Sequence, residues 1–169
     1  ADYTNDAAKS YVEIYNAGSS SVNLNGWQLS QFSASGTQPL NNTTQQNSAA
    51  DLILAPGEYA LIVNSDWSGL KSAHSIANDV AMFTGSSVPS IDGGEYYQLV
   101  DAVAKGTQDE FGTSSGFTAT DNSCYERNVV PASDGTLSES WSEATNTSYG
   151  YTPGGTNSNP LPIELISFT

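Results

Sequence analysis

The sequence predicts an all-β fold, an antiparallel β-sandwich, and three observations carry that expectation. Apolar residues recur with period two along most of the chain. Clusters of Gly, Pro, Asn and Ser separate the alternating runs. No segment sustains a helical period, apart from a short turn near "SDWSGLKSA". The 169 residues fit one domain with one hydrophobic core. Only 13% of residues are charged, so neutral Ser, Thr and Asn must cover much of the surface, as in secreted β-rich proteins.

Taken in order, "YVEIYN" sets Tyr11, Glu13 and Tyr15 on one face and Val12 and Ile14 on the other, a strand with one face in the core. "SVNLNGWQLSQF" alternates again, with Val22, Leu24, Trp27 and Leu29 inward and a bulge expected at Gly26. Residues 33 to 50 are poor in apolar side chains and read as a long surface loop. In "DLILAPGEYALIVN", Pro56 and Gly57 match the central pair of a type II turn, and Tyr59 to Asn64 reads as a buried strand. "VAMFTG" and "YYQLVDAVAKG" add two strands, and "TQDEFG" and "SCYERNVV" two shorter ones. Seven or eight short strands joined by turn chemistry make a sandwich.

Charge narrows the partners. Eighteen acids face four cations, Lys9, Lys71, Lys105 and Arg127, for a formal net charge of −14. Binding a phosphate backbone or an anionic membrane needs clustered cations, so direct nucleic-acid and membrane-surface recognition are disfavoured. Divalent cations, neutral glycans and basic proteins remain compatible. Cys124 is the only cysteine, which excludes an intrachain disulfide and leaves a small apolar residue. No apolar run is long enough to span a bilayer as a helix. No signal peptide opens the chain, and "ADYTND" reads as an internal start, so an export signal is expected elsewhere in a longer protein.

The order of these segments resembles the lamin-tail domain. "YVEIYN" followed by "LNGW" is similar to the family's "WVEIYNPG…VDLSGW". "LAPGEYALIV" (Leu54 to Val63), "LVDAVAKGTQDEFG" (Leu99 to Gly112), "CYERN", Trp141 and "TPGGTN" (Thr152 to Asn157) continue the likeness in register over residues 9 to 157. The resemblance implies an immunoglobulin-like sandwich over residues 1–158, with residues 159–169 as a linker or extra strand. It also implies that Trp27 and Trp141, at matching positions, fill the core. The family's usual first strand, of the type "vvIsEV", has no counterpart before Lys9. "PLPIELISFT" resembles the "LPVELTSF" junction before a C-terminal sorting module in large secreted proteins of Bacteroidetes. That likeness implies an extracellular or outer-surface location within a multidomain chain. The apolar tail residues Ile163, Leu165 and Ile166 are expected to form a strand at a sheet edge.

Chemistry offers few candidates. "GTSSG" (Gly112 to Gly116) fits the G-x-S-x-G pattern, but that pattern needs a following helix and a histidine downstream, and His74 precedes Ser114. Ser114 therefore reads as a turn residue and His74 as a solvated loop histidine. Eighteen acids make some close carboxylate pair inevitable, so number alone points to no glycosidase. The expectation is a non-catalytic, monomeric accessory or adhesion module, with no catalytic residue, that contacts a protein, cell surface or glycan. Trp67, Tyr96, Tyr97, Tyr149 and Tyr151 are the aromatic residues that would stack on such a ligand. No cofactor is required, though Ca²⁺ would suit Asp109, Glu110, Asp121 and Asn122. Solvated acids that keep the protein soluble are the simpler account of the same residues.

Overall fold

A computed structural model describes residues 11–33, 36–37, 44–45, 52–84, 93–101, 106–118, 124–127, 134 and 136–144. In chain order these form β1 (Tyr11–Tyr15), β2 (Val22–Asn23), β3 (Gln28–Ser33), β4 (Gly36–Thr37), β5 (Thr44–Gln45), β6 (Ile53–Leu54) and β7 (Tyr59–Val63). Helix α1 (Trp67–His74) follows, then β8 (Ala81–Thr84), β9 (Glu95–Asp101), β10 (Gly106–Phe111), β11 (Cys124–Arg127) and β12 (Trp141–Ala144). One four-stranded sheet has the order β1-β7-β8-β5, the other β10-β9-β3-β4. Two ribbons, β11-β12 and β2-β6, are the remaining strand pairings among the described residues.

The sheets are joined by a core drawn from both. Leu29 on β3 and Tyr97 on β9 meet Ala60 and Ile62 on β7 and Ala81 and Phe83 on β8, with Leu24 and Leu54 closing one end. Val12, Ile14, Val22 and Trp27 pack against this core from the side, so the inward assignment of the first two strands holds.

The other face of the first sheet is also apolar. Tyr11, Leu61, Val63 and Met82 form a second core with Leu70 and Ile76, and Trp67 packs against it. The register explains this: Tyr11 lies opposite Val63 and Glu13 opposite Leu61, while Val12 and Ile14 lie opposite Ile62 and Ala60 on the other face. Tyr11, expected on an outer face, is therefore buried beneath the segment that carries α1.

That helix is the second departure. β7 and β8 pair in parallel, Ala60 with Ala81 through Val63 with Thr84, whereas the sequence suggested antiparallel neighbours. A parallel pair needs a crossover, and the Asn64 to Val80 segment supplies it through α1. Asp66 caps α1 by accepting the Gly69 N–H at 2.9 Å. A side chain at position 69 would collide with that carboxylate, which accounts for the glycine. Lys71 and His74 lie in the last turn, where positive charge is favoured, so His74 belongs to a helix and not to a loop. Ser75 ends the helix in the left-handed region, at φ 53°.

Turns follow their residues. Glu58 N–H donates to Ala55 O with Gly57 at φ 83°, the turn expected of Pro-Gly. Gly26, also at φ 83°, forms a tight turn closed by Trp27 N–H on Leu24 O, and not the bulge that alternation suggested. Within residues 33 to 50, read as loop, β4 pairs with β3 and β5 with β8. Tyr149, Tyr151, Asp121, Asn122 and the tail from Pro160 lie outside the described residues. Among the described residues, no helix is long and apolar enough to cross a membrane.

Asn16, just after β1, is buried and ties three segments together. Its Nδ2 donates to Leu54 O at 2.8 Å and to Ser20 O at 2.9 Å, and its Oδ1 accepts the Gly18 N–H at 3.0 Å. Its backbone bonds Glu58 O and Gly57 N–H. Asn16→Ala should cost about 2–3 kcal/mol in urea unfolding, since it strands a buried carbonyl. Leu61→Ala, at a position with no exposed surface, should cost about 2–5 kcal/mol in the same assay. Ser75→Gly should gain about 0.5–1 kcal/mol, read as a raised melting temperature, because glycine relieves the left-handed strain.

Candidate binding surface

The aromatic residues nominated from sequence do not share one platform. Tyr96 and Tyr97 are neighbours on β9, so they point to opposite faces of the sheet. Tyr97 is 4% exposed and belongs to the inter-sheet core, which removes it as a stacking surface for a ligand. Trp67 opens α1 and is half-buried against the second core. Its ring packs on the protein's own interior, in a core to which β9 contributes no residue.

Tyr96 has a different partner, one that sequence reading missed. Half-buried on the outward face of the second sheet, it stacks on the half-buried Phe32 of β3, with ring centroids 5.0 Å apart and planes 14° from parallel. The two residues are direct cross-strand partners, which is why the rings meet. Two residues along β9, Gln98 lies opposite Ser30 on one side and Glu110 on the other. Gln98 Nε2 donates to Glu110 Oε1 at 2.8 Å, which holds the amide and the carboxylate beside the aromatic pair. The face therefore carries an apolar stack bordered by hydrogen-bonding groups. The sequence signal was the alternation of Phe32 and Tyr96 with core residues, though nothing in it indicates that the two strands are adjacent.

A second aromatic group was also unforeseen. Phe111, at the end of β10, touches Phe117, Tyr125 and Trp141 at centroid distances of 4.7, 5.0 and 4.9 Å, in tilted or edge-to-face geometry. It also meets Tyr97 at 6.1 Å. Apart from the buried Tyr97, these rings are half-buried, and they tie the β11-β12 ribbon to the second sheet, a packing role. Trp141, expected in the core, takes part in it. A third pair, Tyr15 with Tyr59, lies at the far end of β1, and Tyr15 is 44% exposed.

Of the four nominated cation ligands, Asp109 and Glu110 are among the described residues. Asp109 and Glu110 follow a bulge between Thr107 and Asp109. Asp109 Oδ1 accepts the Glu110 N–H at 2.8 Å, while Glu110 turns its carboxylate to Gln98. Among the described residues, no three His, Cys, Asp or Glu side chains gather closely enough to hold a metal ion. Ser114 is exposed in a turn where Thr113 N–H donates to Phe117 O. Gly112 has φ 71°, and a side chain there would strike Phe117 O, so the first glycine of "GTSSG" serves the backbone. The gap between the sheets beside Trp27, Ile14 and Phe83 has a volume of about 10 Å³, room for a single water.

A protein-family model for the Lamin Tail Domain matches residues 1–123. The match includes "YVEIYN", "LNGW", "LAPGEYALIV" and "LVDAVAKGTQDEFG", and also the residues ahead of Lys9 that had suggested no family strand. It stops before "CYERN", Trp141 and "TPGGTN". No curated protein and no solved structure matches the chain.

The Phe32–Tyr96 stack should be measurable as a coupling. A double-mutant cycle with Phe32→Leu and Tyr96→Leu should return an interaction of about 0.5–1.5 kcal/mol in urea unfolding.

Proposed function

This chain belongs to the lamin tail domain family, a family of immunoglobulin-like folds, and from that premise we propose that it is a non-catalytic contact module. It serves as an accessory or adhesion domain of a larger, exported bacterial protein, at the outer cell surface or beyond, and its partner is a protein or a cell surface. The observation that carries this reading is the outward face of the second sheet. There Phe32 and Tyr96 form an apolar stack beside the Gln98–Glu110 hydrogen bond. An apolar centre with a polar border is the arrangement that anchors protein interfaces. The net charge of −14 favours partners that are neutral or basic at the point of contact.

The same stack supports a second reading, a glycan-binding module that assists an attached exported hydrolase or nuclease. Aromatic rings can lie against the apolar face of a sugar while an amide and a carboxylate hydrogen-bond its hydroxyls. Ca²⁺ at Asp109 and Glu110, completed by Asp121 and Asn122, belongs to this second reading.

Binding of the fluorescently labelled domain to intact bacterial cells, followed by flow cytometry, tests the first reading. The Phe32→Ala/Tyr96→Ala variant should bind at least about tenfold more weakly, a loss of roughly 1.4 kcal/mol, while its circular dichroism stays native. Equal binding by a folded variant would remove this face from the account. Calorimetry with a glycan panel and with Ca²⁺ tests the second reading. Heat released on glycan binding and lost in the Tyr96→Ala variant would favour it over the first.

A further inference from the structure

We infer that Asn25 is a self-modification site, whose side chain cyclises onto the Gly26 backbone and is converted to aspartate and isoaspartate. "NLNGW" contains the only Asn-Gly dipeptide in the chain. The structure puts it at the tip of the β2–β3 turn, with both residues exposed. The turn is closed by Trp27 N–H on Leu24 O, and the Asn25 N–H is held by Asn23 Oδ1 at 2.9 Å. Neither the Asn25 carboxamide nor the Gly26 N–H makes a hydrogen bond to the described residues. The nucleophile and the electrophile of the cyclisation are thus adjacent, exposed and, among the described residues, unengaged.

The reaction balances with water as the one co-reactant. The Gly26 backbone nitrogen attacks Asn25 Cγ and forms a C–N bond. The Cγ–Nδ2 bond breaks, and Nδ2 leaves as ammonia, carrying the proton that the Gly26 amide gives up. Water then opens the five-membered imide at either carbonyl. One product has an ordinary aspartate at position 25; in the other the backbone runs through the former side chain. Glycine matters because it has no Cβ to crowd the attacking nitrogen. Either product adds a negative charge to a chain already at −14. The isoaspartyl product also lengthens the backbone inside a turn flanked by Leu24, in the core, and Trp27, packed against it.

The other described asparagines lack this combination of an exposed carboxamide and a following glycine. The Asn16 carboxamide is locked by its hydrogen bonds to Ser20, Leu54 and Gly18. Asn23 has its Oδ1 engaged and is followed by Leu24. Asn64 is buried. Asn78 is exposed like Asn25 but is followed by Asp79, which makes it an internal control for the glycine.

The folded protein should be incubated at physiological temperature in mildly alkaline buffer, then analysed by peptide mass mapping and enzymatic isoaspartate labelling. The expected result is a gain of one nominal mass unit on the peptide holding Asn25, in two products, one labelled as isoaspartate. The gain should be at least about tenfold faster there than at Asn78, and the Asn25→Gln protein should slow by a similar factor. Unmodified Asn25 after an incubation that fully converts a synthetic NLNGW peptide would overturn the proposal. Modification at Asn78 at the same rate would overturn it too.

Discussion

The whole arrangement depends on β7 being buried on both faces. Tyr59–Val63 has apolar side chains in succession and not in alternation, so neither face can be left to water. Ala60 and Ile62 require a second sheet on one side, and β3 and β9 provide it. Leu61 and Val63 require cover on the other, and the crossover through α1 provides that, with Leu70 and Ile76 as its buried contacts. The parallel β7–β8 pair is the topological consequence, because a covering segment placed between two strands brings the chain back in the same direction. A central strand with two cores thus explains why a β-sandwich contains a helix.

Polar burial at one end of that strand is resolved by Asn16. Where β1 stops, the chain must pass beside β6 and the Pro56–Gly57 turn, leaving backbone groups away from solvent. One carboxamide with two donors and an acceptor meets those needs, contacting Leu54, Ser20 and Gly18. The turn is held a second time by the Glu58 carboxylate, which accepts the Ala55 N–H at 2.7 Å. The "YVEIYN" and "LAPGEYALIV" segments are therefore one structural unit: the asparagine of the first fastens the turn of the second. Glu13, between its tyrosines, lies opposite Leu61 on the helix-covered face and belongs to that unit.

The second sheet has the opposite character. Its inner face supplies Leu29, Tyr97 and Leu99 to the core, and its outer face carries the half-buried Phe32, Tyr96, Gln98 and Glu110. Alternation in sequence placed Leu29 inward but did not separate these two sets. It could not say which of Tyr96 and Tyr97 faced inward, because "EYYQLV" has apolar character in both registers. Nor could it bring Phe32 to Tyr96, since adjacency of strands so far apart in the chain is a property of topology and not of periodicity. Phe111 was missed for the same reason, its neighbours coming from strands joined only in space.

The sequence alone determined most of the longer strand-forming segments, the Pro-Gly turn, the inward set Val12, Ile14, Leu24 and Leu29, and the lamin-tail likeness, because each rests on local patterns of period two and turn chemistry. Tertiary structure alone decided the parallel crossover, the second core, and the short pairings of β4 and β5, whose residues carry no hydrophobic signal. It also decided the fate of the nominated residues: Tyr97 went to the core, Trp67 to the second core under α1, and Tyr96 to an outward stack with Phe32. The physical reason is common to all of these. A strand's own residues say which side chains share a face, but only its neighbours decide what covers that face.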